Sequence, residues 1–81
     1  MTIPELVAAL RAVSDALDRS GFATASATRS VEEARAALLA VRRGDDDWYP
    51  VELDAAVTDL DRAGEMITRA RHAVTDYLMR L

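Results

Sequence analysis

No cysteine, lysine, asparagine or glutamine occurs among the 81 residues of this chain, and glycine, proline and aromatic residues are scarce. Each shortage excludes something. Without cysteine there are no disulfides and no thiolate metal ligands, so a chain this short must be held by packing rather than by staples. A domain of this size buries only about 60 % of the surface its unfolded chain exposes, which makes self-association or a partner the natural supplement. A single histidine, His72, cannot form a zinc site, and Asp76 one turn later gives it at best a hydrogen-bonded pair on a helix surface. The glycines at 21, 44 and 64 are too scattered for a phosphate loop. No 18-residue apolar run exists, so no membrane span is expected, and the N-terminus lacks the basic start and apolar stretch of a cleaved signal. The expected location is the cytoplasm, or outside the cell by a route that leaves no cleaved signal peptide.

Charge narrows the field further. The net charge is −4, and every lysine-or-arginine position is arginine. In the first half Arg11, Arg19, Arg29 and Arg35 are interleaved with Glu5, Asp15, Asp18, Glu32 and Glu33, so no face collects the positive charge that phosphate backbones require. Nucleic acid is therefore not an expected partner. Alanine is the commonest residue, a composition with strong helix propensity.

What is present is a periodic pattern. Ile3, Leu6, Leu10, Val13, Leu17, Ser20, Thr24, Ala27, Val31, Ala34, Leu38 and Val41 alternate in spacings of three and four, the seven-residue repeat of a helix laid against another helix. Thr2 and Glu5 form a capping box, and Arg42, Arg43 and Gly44 supply the cations and terminator of a helix end. The pattern predicts one helix over about 3–43. Gly21 and the hydroxyl-rich stretch around it weaken helix propensity and mark a site for a kink, with a break into separate helices as the competing reading. Continuity is favoured because the repeat keeps its phase across the stretch.

A second repeat follows: Leu53, Leu60, Ile67, Val74 and Leu81, with Val57, Gly64, Ala70 and Leu78 between them. Pro50 and Glu52 fit its first turn, and the helix is predicted over about 50–80. Glu65 with Arg69 and Asp76 with Arg80 are expected to pair along its outer face. Two helices joined by so short a turn must be antiparallel neighbours, so the fold class is an all-α helical hairpin in a single domain, 1–81. Its arms come to roughly 60 Å and 45 Å at 1.5 Å per residue, leaving the longer one overhanging. Val7, Ala9, Ala12, Leu39, Ala40, Met66 and Tyr77 lie beside the stripe and widen it, which asks for a second layer. Dimerisation of two hairpins into a four-helix bundle supplies one.

Catalytic and metal chemistry is poorly served. Asp45, Asp46 and Asp47 lack the length and spacing of a calcium-binding loop and serve better as polar turn residues. Glu32 with Glu33, and Asp59 with Asp61, point in different directions from a helix surface, and two helices offer no cleft for acid–base work. No enzyme activity, metal or cofactor is expected.

The turn Gly44–Asp45–Asp46–Asp47–Trp48–Tyr49–Pro50 places the one tryptophan near the middle of the chain. In this the sequence resembles the WxG family of small helical hairpins exported by type VII (ESX-type) secretion in actinobacteria and Gram-positive bacteria. It is similar as well to the alanine-rich hairpin modules of actinobacterial polymorphic toxins, whose last helix ends in a tyrosine and leucine segment like Tyr77-Leu78-Met79-Arg80-Leu81. Trp48 is followed by Tyr49 and Pro50 where the WxG family carries glycine two residues on, and Leu81 stands where its export signal, begun at Tyr77, carries an acid. The resemblance implies a homo- or heterodimeric four-helix bundle, with Trp48 in the turn and Tyr77 as a signal tyrosine. The function expected is a non-catalytic interaction module, an adaptor, chaperone or targeting hairpin for a larger toxin or secreted partner. The alternative is an acidic antitoxin or immunity-type protein covering a basic partner. Trp48, Tyr49, Tyr77, Leu39 and Met66 are the candidate interface residues; the partner is a second copy, a paralogous hairpin or a larger protein. For Trp48 two roles compete, a plug on the end of the seam and an anchor for a partner. Trp48→Ala separates them: thermal melts that drop while partner binding holds identify the plug, and the reverse identifies the anchor.

Overall fold

In the computed structural model, residues 1–41 and 49–81 are described. The turn aspartates, Gly44 and Trp48, together with the roles expected for them, lie outside the described residues. Two helices make up the fold: α1, Ile3–Ala40, and α2, Val51–Arg80. They run antiparallel along each other as an all-α hairpin, with Asp18 beside Arg71 toward one end and Arg35 beside Asp54 toward the other.

The start of α1 follows from its first residues. Thr2 Oγ1 accepts a hydrogen bond from the Glu5 backbone N–H at 3.2 Å, and Glu5 Oε2 accepts one from the Thr2 N–H at 3.4 Å. That reciprocal capping box satisfies two donors the first helical turn would otherwise leave without partners. The helix closes at Ala40, three residues before the end expected from the sequence, with the Val41 N–H turned back onto the Ala37 carbonyl at 3.3 Å. Pro50, fully buried, caps α2, and its carbonyl receives the N–H groups of Leu53 and Asp54.

Between Ser20 and Ser30 α1 is uninterrupted. Thr24 and Thr28 turn their hydroxyls back onto the carbonyls of Ser20 and Thr24, at 2.8 and 3.0 Å, so these side chains find partners without leaving the helix. Small residues there also let α2 come close, since a methyl group placed on Gly21 would meet Ile67 Cγ2 at 3.5 Å. Close packing against α2 thus stabilises the stretch of lowest intrinsic propensity.

The seam corrects one part of the expected stripe. Leu10, Leu17, Thr24 and Val31 do face α2, and Leu6 and Ala27 are half-buried as expected, but Val7, Ser14, Gly21, Thr28 and Arg35, each one residue after a predicted position, reach the seam as well. Val13, Ser20, Ala34 and Val41 are exposed instead. A seven-residue repeat can be drawn with the spacing three-then-four or four-then-three; the two stripes share half their members, and the partner helix selects one. Here α2 lies on the side where serine, glycine and threonine permit the nearer approach. On α2 the expected residues from Leu53 to Leu78 all reach the seam at least in part, whereas Leu81 is exposed.

The hairpin is a rod of 66 × 16 × 14 Å with a radius of gyration of 18.9 Å, against about 12 Å for a compact chain of this length. Among the described residues no hydrophobic side chain is fully enclosed apart from Pro50. Both α1 and α2 glycines have room for a methyl group, that on Gly64 meeting Thr24 Cγ2 at 4.0 Å. Glycine inside a helix is worth about 0.5–1 kcal/mol less than alanine. Gly21→Ala and Gly64→Ala are each expected to raise the thermal midpoint by several degrees; a fall in calorimetry would mean that the helices approach more tightly than these distances allow.

Candidate functional site

The seam has two flanks of opposite character. One flank carries charge. Arg71 Nε lies 2.6 Å from Asp18 Oδ1, and Arg35 Nη1 lies 2.8 Å from Asp54 Oδ1, so each cation reaches from the seam across to the other helix. Both bridges join one residue on the seam to one on this flank. Exposed pairs of the Asp18–Arg71 kind contribute at most about 1 kcal/mol, so they set alignment more than stability. The Glu65–Arg69 and Asp76–Arg80 pairs expected along α2 are not formed; among the described residues α2 has instead a long Asp59–Arg62 contact of 3.9 Å. Those side chains are fully hydrated, where the entropy lost on pairing offsets the small attraction.

Between the two bridges the same flank opens into a groove of about 800 Å³, floored by Gly21, Ala25, Thr28 and Gly64 and edged by Glu65 and His72. Its depth comes from missing side-chain volume at the two glycines. It is shallow and open, and it follows from the close helix approach.

Arg35, Asp54 and Tyr49 form the most structured cluster. The Arg35 hydrogen bond, then that of Tyr49, hold the Asp54 carboxyl below the usual aspartate range, against a smaller opposing effect of desolvation. The Arg35 guanidinium is correspondingly raised, first by that hydrogen bond to Asp54. The cluster ties the start of α2 to the last turns of α1.

The other flank has no such bridges. On α1 it consists of Leu6, Val13, Ser20, Ala27, Ala34 and Val41, and on α2 of Ala56, Ala63, Ala70 and Tyr77. None of these positions is ionisable apart from the tyrosine. Leu6, Ala27 and the three α2 alanines are half-buried against the neighbouring helix, while Val13 is 46 % and Tyr77 48 % exposed.

The five candidate interface residues are thereby dispersed. Trp48 lies outside the described residues. Tyr49 is engaged with Asp54 at the base of α2, and Leu39 is half-buried on the charged side of the seam. Met66 and Tyr77 are exposed; the helical period puts Tyr77 on the uncharged flank and Met66 in the row of Glu52, Asp59 and Arg80 beyond it. Sequence reasoning missed Phe22, which is 81 % exposed and projects on the charged side, because it falls outside the stripe. It also assigned Val13 to the seam, where the structure leaves it exposed. The signal that could have separated the flanks is charge: the rows through Arg11, Asp18 and Glu32 are ionic, and those through Val13 and Ala27 are not.

No family model matches the chain, and no curated protein or solved structure matches it. No helix of the described residues is long and apolar enough to cross a membrane.

The Asp54 cluster gives a pH signature. A carboxyl whose folded pKa is lowered adds stability that is fully present above its ordinary pKa of about 3.9 and is lost as pH falls through the lowered folded value. Wild type is therefore expected to melt above Asp54→Asn at neutral pH, with the gap closing below about pH 4. A gap that persists unchanged into acid would show that Arg35 and Tyr49 do not depend on the carboxylate charge.

Proposed function

We propose that the chain is a non-catalytic protein–protein interaction module, which associates through exposed apolar surface. The single observation that carries this reading is the lack of any enclosed hydrophobic side chain but Pro50 among the described residues, together with exposed Val13, Met66, Tyr77 and Met79. Small domains without staples need such surface covered to gain stability. The partner is a second copy, a paralogous hairpin or a larger protein. The carboxylates Glu32, Glu33, Asp59 and Asp61 all face solvent, which suits solubility better than acid–base work. The turn tryptophan and Tyr77 support a narrower version, an adaptor, chaperone or targeting hairpin for a toxin or secreted partner, exported without a cleaved signal.

A second reading rests on charge placement. Residues 44–61 of the sequence contain seven acidic residues and no basic one, a charge suited to a basic partner as in antitoxin or immunity-type proteins.

Gel filtration with light scattering on the isolated chain tests the first reading. A dimer or higher species is expected, and a stable monomer at high micromolar concentration would overturn self-association. Partner capture at two salt concentrations separates the readings: apolar docking holds at high salt, whereas an acidic surface on a basic partner weakens steeply.

A further inference from the structure

The uncharged flank extends beyond the rows bordering the seam. The next row outward on α1, Thr2, Ala9, Ala16, Ala23, Ser30 and Ala37, also lacks any ionisable side chain, so one whole side of α1 is free of charge over its length. The opposite side of the same helix carries Arg11, Asp15, Asp18, Arg29 and Glu32. Charge is thus segregated by face, although charged residues are abundant in the chain.

Residue size along this face is graded. Leu6, Val13 and, from α2, Tyr77 lie toward the open end of the hairpin, because the Asp18–Arg71 bridge sets the C-terminal part of α2 beside the first turns of α1. Toward the turn end the face narrows to Ala27, Ala34, Ala56 and Ala63, with Val41 standing past them at the C-cap of α1. One end projects and the other is recessed.

We infer that this uncharged flank is the seat of a second copy of the chain, docked antiparallel so that α1 lies across α1 of the partner copy. The inference rests on the reading of the chain as an interaction module and specifies its face, occupant and orientation. A two-fold axis across the middle of α1, near Ser20, sets Leu6 of one copy over Ala34 of the other and Val13 over Ala27. Leu6 and Val13 then each meet an alanine, and each contact occurs twice, as a two-fold interface requires. A parallel pairing would oppose large to large at one end and leave a gap at the other. The surface available suffices: the hairpin exposes 6167 Å², about 1,400 Å² more than a compact monomer of its mass, whereas a stable interface covers about 800 Å² per partner. Alanine rows let helix axes approach closely, and with no charge on the face no ionised group must be desolvated.

Single cysteines test the geometry, since the chain has none of its own. Under mild oxidation Ser20→Cys is expected to link to itself. Leu6→Cys and Ala34→Cys are expected not to self-link but to link to each other when mixed. Self-linking of both Leu6→Cys and Ala34→Cys would overturn the antiparallel arrangement. Dimers by light scattering that link at none of these positions would place the interface on another face. A monomeric wild type would instead overturn the underlying interaction reading. Charge provides an independent check: Ala27→Glu is expected to shift the dimer to monomer mass, whereas Ala36→Glu, on the charged side of α1, leaves it a dimer. If both substitutions leave the mass unchanged while circular dichroism shows intact helices, the face is wrong.

Discussion

Two helices can share only one seam, and every other feature of this protein follows from that limit. A side chain lodged between two cylinders still has water on at least one side, so the leucines and valines here are half-buried at best. Hydrophobic stabilisation scales with the apolar area removed from water, at about 25 cal/mol per Å². A hairpin of this kind therefore captures only a fraction of what its apolar residues can give. The unused remainder lies on the surface.

The same limit explains how the seam is constructed. With little apolar burial available, proximity of the helices becomes the way to gain dispersion contact. Gly21 and Gly64 sit where α1 and α2 come close, and Thr24 and Thr28 keep their hydroxyls satisfied within the helix. The ion pairs Asp18–Arg71 and Arg35–Asp54 bracket this close approach on one flank. They hold the helices in register, because a slip of either helix by one turn would separate both cations from their carboxylates. The alanine-rich flank carries no such pairs.

Much of this was legible before any coordinates. The two periodic stretches, the Thr2–Glu5 cap, the continuity of α1 through Gly21 and the hairpin itself are short-range consequences of residue order. The register of the α1 seam was not. Val13 and Ser14, or Ala34 and Arg35, are adjacent in sequence, and hydrophobicity favours the wrong member of each pair. An arginine at a seam position reads as an error until Asp54 is seen to receive it. Tyr49, one of the candidate interface residues, hydrogen-bonds the Asp54 carboxylate.

The sequence by itself determined the number of helices, the Thr2–Glu5 cap, their antiparallel order and the absence of charge along one side of α1, because each depends on neighbours within a few residues or on the short connection. Only the tertiary structure decided which of two overlapping stripes faces α2 and which apolar residues remain exposed. That choice turns on how the side chains of α2 pack against α1 and on ion pairs formed across the hairpin, and no local pattern encodes either.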